Sequence, residues 1–536
     1  MGRLPPDAGV SMRLSVINGC YRPSNRLFET NRNELKEPRL PHRYMLILAL
    51  GSALLGTPAL ADPAQSTTQQ YRQQAQAELE VRKNAAERPA HARNVIIFIG
   101  DGMGISTLTA ARILAGEAAG VDGESFVTAM DRLDHAALVK TYSHNAQVSD
   151  SASTATAILA GVKTRSGVIG AGPETMLDDC ATMLANRVPS LFAMAQEAGL
   201  ATGVVTTTGI THATPAAAYA HTPQRNWEAD ADMPAEALAQ GCQDIARQLI
   251  EGPVGSKLEV MFGGGRRAFL PASAPDPEYP DQTGERKDGR DLIAEWRAAN
   301  PGSAFVWNAA QFAELDQAAG TRLLGLFEPG HMQFEADRAK DAAGEPSLAD
   351  MVALAIARLS HGDQGYVLLV EGGRIDHAHH AGNAYRALTD AVAFDAAIAR
   401  AVELVDPDET LIVSTADHSH VLTISGYPER GNPILGTVAF GENRPVLALD
   451  GKAYTTLGYA NGPGAIGAGG RPDLAPEEAV AHDYRQQATV PLGSETHAGE
   501  DVVVKASGAG AQLFRGTIEQ HTIFYLMHEA LFGERP

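Results

Sequence analysis

Thiols are scarce in this chain: among 536 residues only Cys20, Cys180 and Cys242 are cysteines. Any metal bound here must therefore rest on imidazole and carboxylate groups rather than on thiolate clusters. Cys180 and Cys242 can pair in an oxidising compartment or remain two buried thiols, and their spacing does not decide between the two. Excess positive charge is missing as well. Lys and Arg number 43 against 64 Asp and Glu, a formal net charge of −21, which excludes a protein that binds nucleic acid through a basic face. An anionic substrate would meet an unfavourable overall field, so metals or a few placed arginines must attract it locally. The apolar run at residues 46–55 falls short of the roughly 18 residues that a membrane-spanning helix needs. It follows His42 and Arg43 and ends in Ala59-Leu60-Ala61, a signal-peptidase pattern, so residues 44–61 read as an export signal rather than an anchor. No cysteine follows the run, which excludes bacterial lipoprotein processing. Residues 1–43 exceed an ordinary signal n-region, leave Met12 as an alternative start, and are given no structural role. A repeat period is absent, which excludes a solenoid or propeller.

What is present is the composition of a large folded protein, 44% hydrophobic and 20% charged. Within residues 62–93, the stretch 69–86 is polar, alanine-rich and free of Gly and Pro, and reads as an exposed helical arm. From Asn94 onward short apolar runs at residues 95–99, 201–205, 366–370 and 411–414 alternate with helical stretches. Continuous apolar strands between helices predict an α/β fold with a largely parallel sheet covered on both faces. Residues 94–424 and 492–531 form that body. Residues 270–350, richer in proline and acid, read as an elaborated lobe. Residues 425–491 carry turn signals such as Asn461-Gly462-Pro463-Gly464 and read as an insertion on top of the sheet.

Three of the predicted strands run straight into chemistry. Residues 95–99 lead to Gly100-Asp101-Gly102, residues 366–370 to Glu371 and then Asp376-His377-Ala378-His379-His380, and residues 411–415 to Asp417-His418-Ser419-His420. Ligand crevices of open α/β sheets lie beyond the carboxyl ends of the strands, so these groups are expected to converge there. Asp376 and His380 stand four apart and share a face if the segment is helical. Imidazole with carboxylate and no cysteine suits zinc in a catalytic site. The glycines around Asp101 lack the Gly-x-Gly-x-x-Gly order and the Walker lysine, which excludes a nucleotide loop, whereas they do let backbone pass close to a metal. Gly263-Gly264-Gly265 reads as a plain turn. Ser151 follows Ser149 and Asp150, either of which can cap the small-residue helix beyond, placing Ser151 where a helix N-terminus favours an anion.

With these strings in place the chain resembles the alkaline phosphatase family, specifically its animal-type branch. The resemblance rests on residues 94–107 (NVIIFIGDGMGIST), Asp150-Ser151 with the following TATA, residues 211–221 (THATPAAAYAH), residues 370–380 (VEGGRIDHAHH), residues 415–420 (TADHSH) and residues 495–501 (ETHAGED). It implies a three-layer α/β/α sandwich with a central, mostly parallel sheet and a small crown insertion at residues 425–491 beside a homodimer interface. It further implies an enzyme that hydrolyses small phosphate monoesters through a phosphoserine on Ser151, and the export signal with the alanine-rich composition reads as a bacterial periplasmic or secreted location. Two zinc ions are implied, one held by Asp376, His380 and His497 and the other by Asp101, Asp417 and His418. One magnesium is implied at Asp101, Thr214 and Glu371, and Arg225 matches the family's phosphate-binding arginine. His212 and His377 match the animal-type choice at two positions that tune the third metal site and the phosphate pocket. An animal-type calcium site maps to Glu278, the Phe327 carbonyl, Glu328 and an acid near Glu345. Cys180 and Cys242 match a disulfide pair of the animal enzymes. Residues 532–536 bring no hydrophobic tail, so the lipid anchor of animal relatives is not expected here. Two other readings share the metal core: a two-metal phosphodiesterase, and a secreted metal-binding homologue without catalysis. The first is not expected to carry Thr214 and Glu371 beside Arg225, and the second requires a missing ligand. A sulfatase would need Cys or Ser before x-Pro-x-Arg at the nucleophile.

Overall fold

The computed structural model describes residues 88–315, 322–441, 444–467 and 469–533. The extension 1–43, the export segment 44–61 and the arm at 69–86 lie outside the described residues. Strands β1 (Asn94–Gly100), β2 (His135–Lys140), β3 (Ala201–Gly209), β4 (Val260–Gly264), β5 (Ala304–Val306), β6 (Leu323–Leu326), β7 (Tyr366–Gly372) and β8 (Thr410–Ala416) join Val502–Gly508 and Arg515–Glu519 in one ten-stranded sheet. Its order runs from Arg515–Glu519 through β2, Val502–Gly508, β8, β1, β7, β3, β4 and β6 to β5. Pairing is parallel except at Val502–Gly508, which runs against both β8 and β2. β1, β7 and β8 are rich in β-branched and large aliphatic residues with no solvent-facing side, as a central parallel strand requires.

Register explains why the chemistry converges. Gly100 of β1 lies opposite Gly372 of β7 and Ala416 of β8, so the three strands end level and the residues beyond them, Asp101 and Asp417 among them, emerge side by side. Thr206 of β3 pairs with Glu371 on the other flank of β7. The antiparallel strand starts at this same edge, so the segment before it, which holds His497, reaches the site from the opposite chain direction.

Helices complete the layers: α1 (Ile105–Ala118), α2 (Ser151–Ala160), α3 (Leu348–Leu359), α4 (Arg374–His380), α5 (Ala384–Leu404) and α6 (Thr522–Phe532). α1 and α3 pack on α5, while α6 packs on α2, and the large sheet flanked by helices is an α/β sandwich. α5 buries Ala384, Ala387, Leu388, Ala391, Phe394, Ala397, Ile398 and Ala401, the three-and-four spacing of one helical face. α2 is buried along its whole length, and its Ala, Ser and Thr side chains allow that close packing. It ends at Gly161 with φ 72°, where a Cβ would lie 2.6 Å from the Phe524 ring. Gly263 and Gly264 are strand residues at the end of β4 rather than the expected turn, and only Gly265 turns, with φ 91°.

Residues 425–491 lie over α1. Leu422–Ile424, Leu457–Gly462 and Ala488–Pro491 form a three-stranded sheet there, tied down by Ile434 N–H donating to Glu117 Oε1 at 2.7 Å and by an Arg430–Asp122 ion pair. Cys180 and Cys242 form a disulfide inside a separate small core with Val168, Ala171, Met183 and Trp227. No helix among the described residues is long and apolar enough to cross a membrane.

Candidate metal centre

Beyond the ends of β1, β7 and β8 buried and half-buried side chains gather into three groups. Asp376 and His380 come from one face of α4 and meet His497, whose Nε2 lies 3.2 Å from His380 Nε2 and 3.4 Å from Asp376 Oδ1. His418 Nε2 lies 3.4 Å from Asp101 Oδ1 and 3.2 Å from Asp417 Oδ2. Asp101, Glu371 and His212 bring ligand atoms within 4.8 Å of one another. Ser151 is the first residue of α2, and its Oγ lies 3.2 Å from His418 Nε2 and 3.4 Å from Asp101 Oδ1. Asp150, not Ser149, caps α2 by accepting the N–H of Ser153 at 3.3 Å.

Local backbone makes room for this density of groups. Gly102 has φ 66°, and a Cβ there would sit 2.3 Å from the His420 ring. Its N–H, with that of His418, donates to Asp417 Oδ1 at 2.9 and 2.8 Å, which orients the carboxylate. Thr206 and Thr208 both donate to Glu371 Oε2.

Arg225 links the start of α2 to His212. Its Nη1 donates to Asp150 Oδ2 at 3.2 Å and its Nη2 to His212 Nε2 at 3.1 Å. Burial opposes its charge, but the carboxylates of Asp150 and Asp101 keep its pKa above the usual arginine value. His212 and His377 touch at ring centroids 5.4 Å apart, and Arg374 Nη1 donates to His377 Nδ1 at 2.9 Å.

The electrostatics of this edge call for cations. Burial, then the charges of Asp417, Asp376 and Glu371, raise the Asp101 carboxyl well above the ordinary range. Burial pushes Glu371 up to about 7 despite its threonine donors. Asp101 Oδ2, Glu371 Oε1, Thr214 Oγ1 and His418 Nδ1 are buried without a hydrogen-bond partner. Such atoms are costly unless something absent from the polypeptide satisfies them, and the donor set is right for divalent ions. The nitrogen-and-oxygen groups around Ser151 suit zinc, while the oxygen atoms of Asp101, Thr214 and Glu371 suit magnesium.

Three participants were not assigned from the sequence. His420 donates from Nε2 to Asp376 Oδ1 at 2.6 Å and from Nδ1 to Glu495 Oε2 at 2.5 Å. Burial works against its charge, yet the two carboxylates override it and lift its pKa to about 10; the same ion pair, also against burial, holds Asp376 well below the carboxylate range. His331 packs against His212 and His377. In the 270–350 lobe Asp341 joins Glu278 and Glu328 within 4.8 Å. Glu345 lies beside that group, with Oε1 accepting the Gln333 N–H at 2.9 Å and Oε2 buried and unpartnered, and Phe327 is a buried core residue directly before Glu328. Asp341 stands four residues before Glu345 and His420 stands in the Asp-His-Ser-His string, so both carried a signal in the sequence, whereas His331 carried none.

The sequence model of the alkaline phosphatase family matches residues 92–532. The tissue-nonspecific alkaline phosphatase isozymes of Gallus gallus and Homo sapiens are each 44% identical to this chain, over 487 and 491 residues. Those matches cover 89% and 90% of the chain and 91% of each relative. Among solved structures, the Thermus thermophilus alkaline phosphatase superposes with a TM-score of 0.60 at 28% identity, covering 84% of this chain and 93% of that one.

Proposed function

Because the chain belongs to the alkaline phosphatase family, we propose that it hydrolyses small phosphate monoesters to alcohol and inorganic phosphate through a phosphoserine on Ser151. The observation that carries this reading is the placement of Ser151. Its hydroxyl sits at the start of a buried helix, between Asp101 Oδ1 and His418 Nε2 and on the side of the site spanned by Arg225. Asp376, His380 and His497 would hold one zinc, Asp101, Asp417 and His418 a second, and Asp101, Thr214 and Glu371 a magnesium. When bound, these ions supply Lewis acidity to the attacking and departing oxygens of an in-line displacement.

The chain's own residues do the rest. The N-terminal amides of α2 and the guanidinium of Arg225 face the equatorial phosphate oxygens and offset their charge as the transition state forms. Arg225 offers a planar fork, and its anchoring by Asp150 and His212 fixes that fork before substrate arrives, lowering the ordering cost of binding. Asp150 serves twice, capping the helix that carries the nucleophile and holding the arginine, so attack and anion recognition share one frame. Ser151 Oγ attacks phosphorus, the alcohol departs, and water then attacks the phosphoserine to release phosphate and restore the hydroxyl. His420 and Glu495 act behind Asp376, locking its carboxylate orientation.

The Cys180–Cys242 disulfide is compatible with export to an oxidising compartment. A homodimer formed beside residues 425–491, and a calcium ion at Glu278, the Phe327 carbonyl, Glu328 and Glu345 with Asp341 added, complete the proposal.

The test is Ser151→Ala. Hydrolysis of a chromogenic phosphate monoester should fall on the order of a thousandfold or more, and brief incubation of wild type with phosphate at acidic pH should label Ser151 alone. Wild-type turnover of diesters without monoesters, or label on another residue, would overturn the reading.

A further inference from the structure

One side chain touches the anion side of the site without an assigned part in it. His331 lies on the loop after β6, and its Nδ1 accepts the backbone N–H of Gly209 at 3.0 Å. Gly209 is the last residue of β3, directly before the turn that carries His212 and leads into the short helix holding Thr214. A backbone amide can only donate, so Nδ1 is the unprotonated nitrogen and the neutral ring keeps its hydrogen on Nε2. Burial and the neighbouring His377 push the pKa of this ring down to about 2, so it acts by shape and hydrogen bonding rather than by charge.

The same ring stands edge-on to His212 at 5.3 Å and tilted against His377 at 4.3 Å. Besides His331, the His212 ring meets the His377 ring at 5.4 Å and Arg225 through one hydrogen bond. Its Nδ1 is buried and unpartnered, while its Nε2 accepts from Arg225. The loop of His331 is itself held on both sides: Gly265 N–H donates to the Gly330 carbonyl at 2.5 Å and Met332 N–H to the Thr207 carbonyl at 3.1 Å. A rigid loop thus presents one imidazole to the turn before His212 and to the His212 ring at once.

We propose that His331 is a positioning residue of the anion cradle, bracing the Gly209 turn and the His212 ring so that His212 meets Arg225 in the orientation that grips a phosphate group. The inference rests on the phosphomonoesterase reading above. If the brace is removed, His212 can turn away and Arg225 loses one of its two anchoring hydrogen bonds. Bound phosphate is then held less well in the ground state and the transition state alike, which raises KM and leaves kcat nearly unchanged.

The experiment compares wild type, His331→Ala, His331→Asn and His331→Phe as zinc- and magnesium-loaded enzymes on a chromogenic monoester. His331→Ala should raise KM and the inhibition constant of inorganic phosphate together by about five- to tenfold, the scale of one aromatic contact and one hydrogen bond. Asn restores an acceptor for Gly209 and Phe restores a ring, so each should recover part of the loss. Calorimetric titration of inorganic phosphate into each holoenzyme should give the same ranking. Wild-type KM and phosphate affinity in His331→Ala, or a loss confined to kcat, would overturn the proposal. If His331→Ala does not fold, wild-type values in both Asn and Phe variants would overturn it instead. A wild type inactive on monoesters would sink the functional reading, whereas the calorimetric ranking would still report on His331.

Discussion

The guanidinium of Arg225 is held by two groups far apart in sequence, Asp150 and His212, and that pairing distinguishes it from a free surface charge and underlies its proposed part in binding phosphate. Lysine at this position keeps the charge but has neither the fork nor the reach to donate to both partners while meeting two phosphate oxygens. Arg225→Lys is therefore expected to raise KM for monoesters about tenfold, the loss of roughly one charge-assisted hydrogen bond, and to weaken inhibition by phosphate in parallel. Steady-state kinetics with phosphate as a competitive inhibitor checks this; an unchanged inhibition constant would remove Arg225 from the cradle. Single residues stood out in the sequence where a motif carried them, as with Ser151, Asp376 and Asp417, which the structure gathers at one sheet edge. His420 was written in the same string as Asp417 yet had no readable role, because its partners Asp376 and Glu495 reach it only through folding. His331 was silent for the same reason: nothing in its neighbours hints that its loop returns to the end of β3.

At the level of elements, continuous apolar runs announced β1, β3, β7 and β8, since strands covered on both faces show no alternation to confuse the reading. Gly263 and Gly264 failed as a turn because glycine carries no side-chain pattern, and the pairing of β4 between β3 and β6 decides their conformation. The antiparallel strand Val502–Gly508 was equally hidden. Its direction relative to β8 is what delivers His497 to the site, and direction is a property of the whole chain path. Loop geometry around Arg225 depends on another long-range element, the Cys180–Cys242 bridge. Arg225 N–H donates to the Gly167 carbonyl, Gly167 N–H donates to Asp150 Oδ2, and the adjacent Val168 packs in the same small core as the disulfide and Trp227. The bridge spans 62 residues of sequence, and its loss should cost roughly 2–4 kcal/mol of stability. Replacing both cysteines by serine should lower the thermal midpoint and raise KM, while reductant lowers the midpoint of wild type but not of the variant. Equal reductant sensitivity in both would show that the bridge does not form.

For the molecule as a whole, the dominant feature is four acids, Asp101, Glu371, Asp376 and Asp417, buried at one sheet edge of a chain that already carries a net charge of −21. His420 compensates Asp376, and among the described residues no comparable cation pairs with the other three; Arg225 lowers Asp101, but by less than burial and the neighbouring acids raise it. Without metal the remaining carboxylates must take protons or endure burial charged, which is why Asp101 and Glu371 are both shifted upward. A carboxyl whose folded pKa lies above its unfolded value binds more protons when folded, so stability falls as pH rises between the two values. For Glu371 that window runs from the ordinary 4.5 up to about 7. Divalent ions remove the penalty by replacing the protons, and each site kept at a thousandfold excess over its Kd stabilises the fold by about 4 kcal/mol. Chelation should therefore abolish monoester hydrolysis and lower the thermal midpoint, with the midpoint loss growing from pH 4.5 to pH 7. Restoring zinc together with magnesium should recover both signals, whereas magnesium alone should recover neither fully, because the imidazole-bearing groups around Ser151 favour zinc. Calorimetric melts of the chelated and reloaded protein across that pH range decide the matter: a midpoint indifferent to chelation at pH 7 would mean that protons, not metals, neutralise this edge.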